Sequence, residues 1–245
     1  SYLIRIHTVT FLPFRAYNTD NQLIIHSIFG LMGGWFIANF YLPDNIESIQ
    51  SYALWMANKK LKLSKNIKYI AEDALQGCNE LTDLYYDIPY VCNEMEKMLR
   101  MPRNLKTITI GPNVLSLPAS MFSGSEALEK IEIPENVDSI GWHCFAYCKN
   151  LKEVRLSPKM SYIGRGAFSY CINLPKIDLP NSVKYIGYGA FENCTSFTSL
   201  TLPENLEVVE DNAFAGCKGI KKLDYYARKL ECAKQNKEYS FLYDC

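Results

Sequence analysis

Residues 151–224 repeat one 23-residue pattern three times and begin a fourth: LKEVRLSPKMSYIGRGAFSYCIN, LPKIDLPNSVKYIGYGAFENCTS, FTSLTLPENLEVVEDNAFAGCKG, then IKKLD. Phe168, Phe191 and Phe214 stand 23 apart, and so do Cys171, Cys194 and Cys217. A fixed period of this length signals a solenoid, because each unit is too small to enclose a core and must bury its apolar side against its neighbours. The usual division of a 245-residue chain into one or two globular domains is therefore replaced by one array that grows by addition.

Numbering the unit from Leu151 as position 1 assigns each column a task. Positions 1, 4 and 6 are apolar (Leu151, Val154, Leu156) and end in the period-two alternation of a strand. Position 7 or 8 is proline in the regular units (Pro112, Pro134, Pro158, Pro180, Pro203), which stops the strand, since proline cannot extend a hydrogen-bonded ladder. Positions 10 and 13 are apolar, as in Met160 and Ile163. Position 14 is often glycine (Gly141, Gly164, Gly187), read as a sharp corner. Positions 17, 18 and 21 are Ala, Phe and Cys, whose three- and four-residue spacing predicts a short helical turn.

The same template extends upstream. Strands are expected at 128–133, 105–110 and 81–86, and Ser125 replaces the repeated cysteine in one unit while Cys78 keeps it in another. The unit 86–104 departs most: Val91, Cys92, Met95, Met98 and Leu99 have helical spacing and predict a helix of about two turns. Residues 23–42 carry no charge and are long enough to cross a membrane, but Gly30, Gly33 and Gly34 interrupt them. Ile24, Phe29 and Met32 also follow the 13, 18, 21 spacing, so a degenerate first repeat is expected there and no membrane insertion. The resulting division is a degenerate N-terminal repeat or cap over 1–36, a solenoid over 37–225 and a C-terminal cap over 226–245, all in one structural domain. About ten parallel strands stack to roughly 45 Å.

The chain has 26 basic and 26 acidic residues, so its overall charge does not point to a nucleic-acid partner. Nine cysteines invite a disulfide reading, but the count is odd and five fall on or beside one repeat position. Stacked coils place equivalent residues about 4.8 Å apart with parallel Cβ vectors, whereas a disulfide needs converging Cβ atoms about 3.8 Å apart. Buried thiols packing as small hydrophobes are expected.

The Ile-Gly, Ala-Phe, Cys and Leu-x-x-Ile-x-Leu-Pro elements at this spacing resemble the BspA-like leucine-rich repeats, from about residue 37 to 225 and best from 110 onward. The resemblance implies a right-handed α/β leucine-rich repeat solenoid. Its strands line a concave face, and short helical turns or irregular segments form the convex side. It also implies a secreted or cell-surface protein that acts in adhesion or in binding a host or extracellular-matrix protein. Any export signal is expected to lie upstream of Ser1.

No phosphate loop, HExxH, GxSxG or CxxC signature occurs, and the three histidines match no repeat position. Neither catalysis nor a cofactor is expected, and His143 with Cys144 and Cys148 is the nearest approach to a metal cluster. On the expected concave face, positions 3 and 5 alternate in sign from 130 to 178: Lys130, Glu153, Lys176 beside Glu132, Arg155, Asp178. In-register strands turn this into a self-neutralising lattice. The N-terminal half differs. Tyr41 and Tyr85 flank Lys62, with Lys60, Asp83 and Thr107 alongside, and aromatic rings with less internally paired cations are the composition of binding surfaces. Tyr41, Lys60, Lys62, Asp83, Tyr85 and Thr107 are the candidate contact residues for a protein ligand. Two other roles remain open: a spacer that presents another domain, and a glycan-binding module using tyrosines. Tyr162 with Tyr185 and Tyr147 with Tyr170 are expected as short aromatic ladders away from the strands.

Overall fold

The computed structural model describes residues 23–25, 42, 44–54, 59–89, 99, 101–225 and 231–232. Seven strands form the long-strand front face: Lys60–Leu63, Asp83–Tyr86, Thr107–Ile110, Lys130–Glu132, Glu153–Arg155, Ser199–Leu202 and Lys222–Tyr225. They pair, parallel and in register, as three ladders: Lys60–Leu63 with Asp83–Tyr86 and Thr107–Ile110, Lys130–Glu132 with Glu153–Arg155, and Ser199–Leu202 with Lys222–Tyr225, so that Lys60 lies opposite Asp83 and Asp83 opposite Thr107. Leu61, Leu63, Leu84, Tyr86, Ile108 and Ile110 point inward and are buried, while Lys60, Lys62, Thr107 and Thr109 face solvent, as the alternating pleat requires.

One expected strand is missing. Residues 176–178 form no strand, and the reason is Pro175. At its position Lys106, Lys152, Thr198 and Lys221 each donate an amide N–H to the carbonyl at the same position of the preceding coil, at 2.8–3.1 Å. Proline has no N–H to give, so the Lys152 carbonyl loses that partner and the ladder opens for one coil. The remaining two expected strands, around 6–13 and 37–42, lie outside the described residues apart from Leu42, as do the helix expected from Val91 to Leu99, apart from Leu99, and most of the two caps.

A second parallel ladder runs along the side of the array: Ser116–Leu117, Ser139–Ile140, Tyr162–Ile163, Tyr185–Ile186, Val208–Val209 and Glu231–Cys232. Position 13 buries a branched or leucine side chain in each coil of this ladder from 117 to 209, and position 12 faces outward. An N-terminal counterpart joins Leu23–Ile25, Ile46–Ile49 and Tyr69–Ile70, so the uncharged stretch after residue 22 begins as a repeat strand.

On the third wall the irregular alternative holds and the short helical turns are not found: there is no helix among the described residues. Amides at positions 17, 19 and 21 bond three residues back within their own coil, as in Ala146 to His143 and Cys148 to Phe145. Amides at positions 16, 18 and 20 instead bond to the next coil: His143 to Arg165, Phe145 to Ala167 and Tyr147 to Ser169, at 2.8–2.9 Å. A helix would spend every amide within the coil, whereas this alternation spends half of them holding coils together. It needs left-handed residues at positions 16 and 20, which are Ser120, His143, Gly166, Gly189 and Asn212, and Gly77, Gly124, Tyr147, Tyr170, Asn193 and Gly216. Gly141, Gly164 and Gly187 have no such torsion, so position 14 is not a left-handed corner. A Cβ on Gly164 would lie 2.8 Å from the Ile140 carbonyl oxygen, and glycine is there to let two backbones approach.

Inside, Phe122, Phe145, Phe168, Phe191 and Phe214 form a continuous stack with centroids 5.0–5.4 Å apart. Cys78, Cys144, Cys148, Cys171, Cys194 and Cys217 are buried, and none of them forms a disulfide. Their column has a polar task as well as a packing one. Cys148, Cys171, Cys194 and Cys217 donate to the carbonyls of Phe122, Phe145, Phe168 and Phe191 at 3.1–3.3 Å, so each thiol ties its coil to the one before. Burial pushes the Cys148 thiol up to about 12 from 9.0 and raises those of Cys171 and Cys194 as well. Since the thiolate is the reactive form, Cys171, Cys194 and Cys217 are expected to resist a disulfide reagent until the chain unfolds. Because the folded value is raised, the stabilisation these thiols give is complete below the unfolded value near 9 and is lost as pH climbs toward 12. Rapid labelling of all three in the native protein at pH 8 would contradict this.

Candidate functional site

The candidate residues lie on the first three front strands. Pairing sets Lys60, Asp83 and Thr107 in one outward column and Lys62, Tyr85 and Thr109 in the next. Five of the six predicted residues are thereby brought onto one face, and Tyr41 lies outside the described residues. Pro112 and Ile88 follow the strands, so the patch is bounded by a loop rim on one side.

That rim changes the electrostatics. Lys62 Nζ lies 3.0 Å from Asp44 Oδ1 and 5.9 Å above the Tyr85 ring. The hydrogen bond and charge of Asp44 hold the ammonium above its ordinary pKa. The strand columns alone leave the cations of this half less internally paired. The loop residue Asp44 pairs with Lys62, and Asp83 accepts from Thr82 Oγ1 at 2.7 Å. The Tyr85 phenol is pushed up by partial burial and by nearby Asp87, against an opposing pull from Lys62. Asp87 is itself buried, accepting from the Asn113 backbone amide at 2.8 Å and from Asn113 Nδ2 at 2.9 Å. Gly111 makes room for it, since a Cβ there would fall 2.2 Å from Asp87 Oδ1. Sequence reasoning missed Asp44 and Asp87; Asp44 sits in the turn before one strand and Asp87 directly after another, where the period places loop residues and gives no direction.

Further along, the charge columns engage one another. Lys130 pairs with Glu153 at 3.0 Å, and Arg155 reaches Glu153 at 2.8 Å and Glu132 at 4.0 Å. The Lys130 hydrogen bond and the two cations hold the Glu153 carboxyl below its ordinary range. Lys176 and Lys222 turn instead to Asp178 and Asp224 two residues on, at 3.0 and 2.7 Å.

The tyrosine pairs stack: Tyr162 on Tyr185 at 4.7 Å and Tyr147 on Tyr170 at 4.8 Å. Tyr162 and Tyr185 lie on the side ladder and so are strand residues, contrary to expectation. A stacked column covers ring faces with ring faces and leaves edges and hydroxyls outward. His143 is exposed while Cys144 and Cys148 are buried, so these three do not converge on one metal. Among the described residues no group of three His, Cys, Asp or Glu side chains is placed to hold a metal ion.

The period, both ladders and the Phe and Cys columns find a direct counterpart: residues 35–129 and 115–236 match the BspA type leucine-rich repeat region in six copies. The chain belongs to the BspA-type leucine-rich repeat family. Solved structures agree on the fold of this BspA-type chain. A leucine-rich cell surface protein from Faecalibacterium prausnitzii A2-165 is similar at a TM-score of 0.53 and 17% identity, over 77% of this chain and 60% of that one. A leucine-rich repeat protein from Eubacterium ventriosum is similar at 0.54 and 21%, over 82% of this chain and 66% of that one. The matched part is thus under two thirds of either structure. No curated protein matches the chain. As a BspA-type solenoid it offers an extended surface of regularly spaced side chains, which suits recognition across several coils.

Proposed function

We propose that this chain is a non-catalytic interaction domain of a secreted or cell-surface protein, and that it binds a protein ligand through its front sheet. The observation that supports this is the contrast between the two halves of that sheet. From Lys130 to Asp178 the outward charges are engaged with one another, so a partner would have to break existing pairs. Over the first three strands Lys60, Asp83, Thr107, Lys62 and Tyr85 form an in-register patch in which a half-buried aromatic ring is bordered by cations. A tyrosine buries large area on binding at small entropic cost. The Lys62–Asp44 pair has both side chains more than half exposed, so a partner's carboxylate can compete for it.

The spacer reading draws on the self-neutralised half, which keeps the sheet soluble without inviting a partner. The glycan reading is weaker, because each stacked tyrosine has one ring face closed against its partner.

Binding to a panel of extracellular-matrix and host-surface proteins tests the proposal. Lys60→Glu with Tyr85→Ala is expected to weaken the interaction roughly tenfold or more while leaving the fold intact. Lys176→Glu should leave it within about twofold. Sensitivity at Lys176 with silence at Lys60 and Tyr85 would put the contact in the wrong half of the sheet.

A further inference from the structure

The three walls of the coil differ in continuity. The side ladder runs as one sheet from Ser116–Leu117 to Glu231–Cys232. The third wall sends three amides from each coil to the next at 2.7–3.2 Å, from Ser120, bonded to the Trp142 carbonyl, through to Asn193, bonded to that of Ala215. Inside, the ring stack and the thiol bonds span the same coils. The front wall is segmented instead. Its first plate joins Lys60–Leu63, Asp83–Tyr86 and Thr107–Ile110, its second Lys130–Glu132 and Glu153–Arg155, and its third Ser199–Leu202 and Lys222–Tyr225. The first break lies between adjacent coils, whereas the second takes in the whole front of coil 174–196.

At that second break nothing on the front holds the coil to the one before it. Among the described residues, 176–179 neither donate nor accept a backbone–backbone hydrogen bond, and the Lys152 carbonyl receives none. One such bond remains on the other side, from the Thr198 amide to the Pro175 carbonyl at 3.0 Å. Charges do not bridge the break either. Lys176 pairs with Asp178 inside its own coil, while Glu153 and Arg155 pair with each other and toward Lys130 and Glu132. Packing loosens at the same place. Leu156 and Leu179 are half-buried in a column where Leu63, Tyr86, Ile110, Ile133 and Leu202 are buried. Ile177 stays buried and keeps the interior closed, and beyond the break Ser182 Oγ lies 2.8 and 2.7 Å from the Pro158 and Met160 carbonyls.

We propose that coil 174–196 is a hinge built into the front wall. The side ladder and the third wall are its spine, and the second and third plates swing about that spine, opening and closing the front at residues 175–179. The direction of easy motion follows from what must break. Parting the spine by one coil severs three inter-coil amides, a thiol bond and a ring contact. Spreading the front between Arg155 and residues 176–179 severs no backbone bond, because Pro175 has none to give. Pairing inside each plate survives the motion, so Lys60, Asp83, Thr107, Lys62 and Tyr85 keep their arrangement while the C-terminal coils change angle against them. A solenoid with a continuous back and a divided front adapts the curvature of its face to what it meets. This device stands whether or not the first plate is the contact surface.

Electron paramagnetic resonance on the whole chain tests it, with nitroxides carried by genetically encoded ketone side chains so that the native thiols take no part. One sample is labelled at Glu132 and Thr201, which occupy position 5 of coils 128–150 and 197–219. The other is labelled at Asp138 and Glu207, which occupy position 11 of the same coils, on the side ladder. Both pairs stand three coils, or about 14 Å, apart. The distance distribution of the front pair is expected to be at least about twice as wide as that of the spine pair. Pro175→Lys, which returns the amide present at Lys106 and Lys152, should narrow the front pair toward the spine pair and slow hydrogen exchange at residues 176–179 by about tenfold or more. A front pair no wider than the spine pair overturns the hinge, and that comparison needs no substitution at residue 175. Equal breadth in both pairs would mean that the whole array flexes, and an unchanged front pair in Pro175→Lys would remove the missing amide as the cause.

Discussion

Phe168→Ala is expected to lower unfolding stability by about 3–5 kcal/mol, the range for emptying a fully buried aromatic site. Phe168 is inaccessible to solvent and lies between Phe145 and Phe191, with ring centres 5.3 and 5.4 Å away. Its backbone cannot sink into the vacated space, because the Phe168 amide is bonded to the Ala190 carbonyl at 2.7 Å and its own carbonyl receives the Cys194 thiol at 3.2 Å. The cavity therefore persists, and it interrupts the stack at a coil boundary. In a solenoid the coupling between neighbours carries much of the stability, so urea unfolding of the variant should also become less cooperative. A loss below about 1 kcal/mol would mean that the column is not packed as described.

Gly164→Ala is expected to cost about 1–3 kcal/mol, although it adds a single methyl group. The added carbon would lie 2.8 Å from the Ile140 carbonyl oxygen, 2.9 Å from the Gly141 carbonyl carbon and 3.0 Å from the Trp142 nitrogen, all backbone atoms of the preceding coil. None can swing aside as a side chain would, so the coils must separate and stretch the amide ladder. Gly124→Asn supplies the contrast. Gly124 has φ +73° and its nearest neighbour is the Arg103 side chain at 3.5 Å, so asparagine should be tolerated to within about 0.5 kcal/mol. Thermal or urea unfolding of the pair separates close approach from backbone torsion as the reason for glycine. Equal losses at both positions would contradict the distinction.

These residues also mark how far the fold was legible in the sequence. Columns that bury a side chain announce themselves, because only a few residue types fill the interior: Phe168, Cys171 and Ile163 recur for that reason, and they fixed the unit, the front strands and the buried thiols. Backbone tasks were harder to read. The 17, 18, 21 spacing looks helical because the alternating three-residue turns bring the same positions inward, and nothing in the side chains reports that alternate amides leave the coil. Gly164 was recognised as special but for the wrong constraint. Pro175 was visible in the sequence, yet its effect follows from one amide whose partner lies 23 residues away, at Lys152. At the candidate site the period correctly aligned Lys60, Asp83 and Thr107 and likewise Lys62 and Tyr85. It could not place Asp44 and Asp87, since loop residues have no inward or outward parity.

The central claim is that each 23-residue coil is an interchangeable unit bound to its neighbours by the same backbone, thiol and ring contacts. Excision of residues 174–196 tests it most directly, by circular dichroism through urea unfolding together with thiol protection. The junction sets Phe197 after Asn173, stacks Phe214 on Phe168, brings the Cys217 thiol to the Phe168 carbonyl, and gives the Lys152 carbonyl the Thr198 amide in place of Pro175. The expected result is a shortened protein that unfolds cooperatively, keeps its remaining thiols protected, and loses little stability per coil. Removal of residues 174–185 alone, which breaks the period, should abolish the cooperative transition. If excising the complete coil is as damaging as excising half of it, the coils are not equivalent units and the account fails.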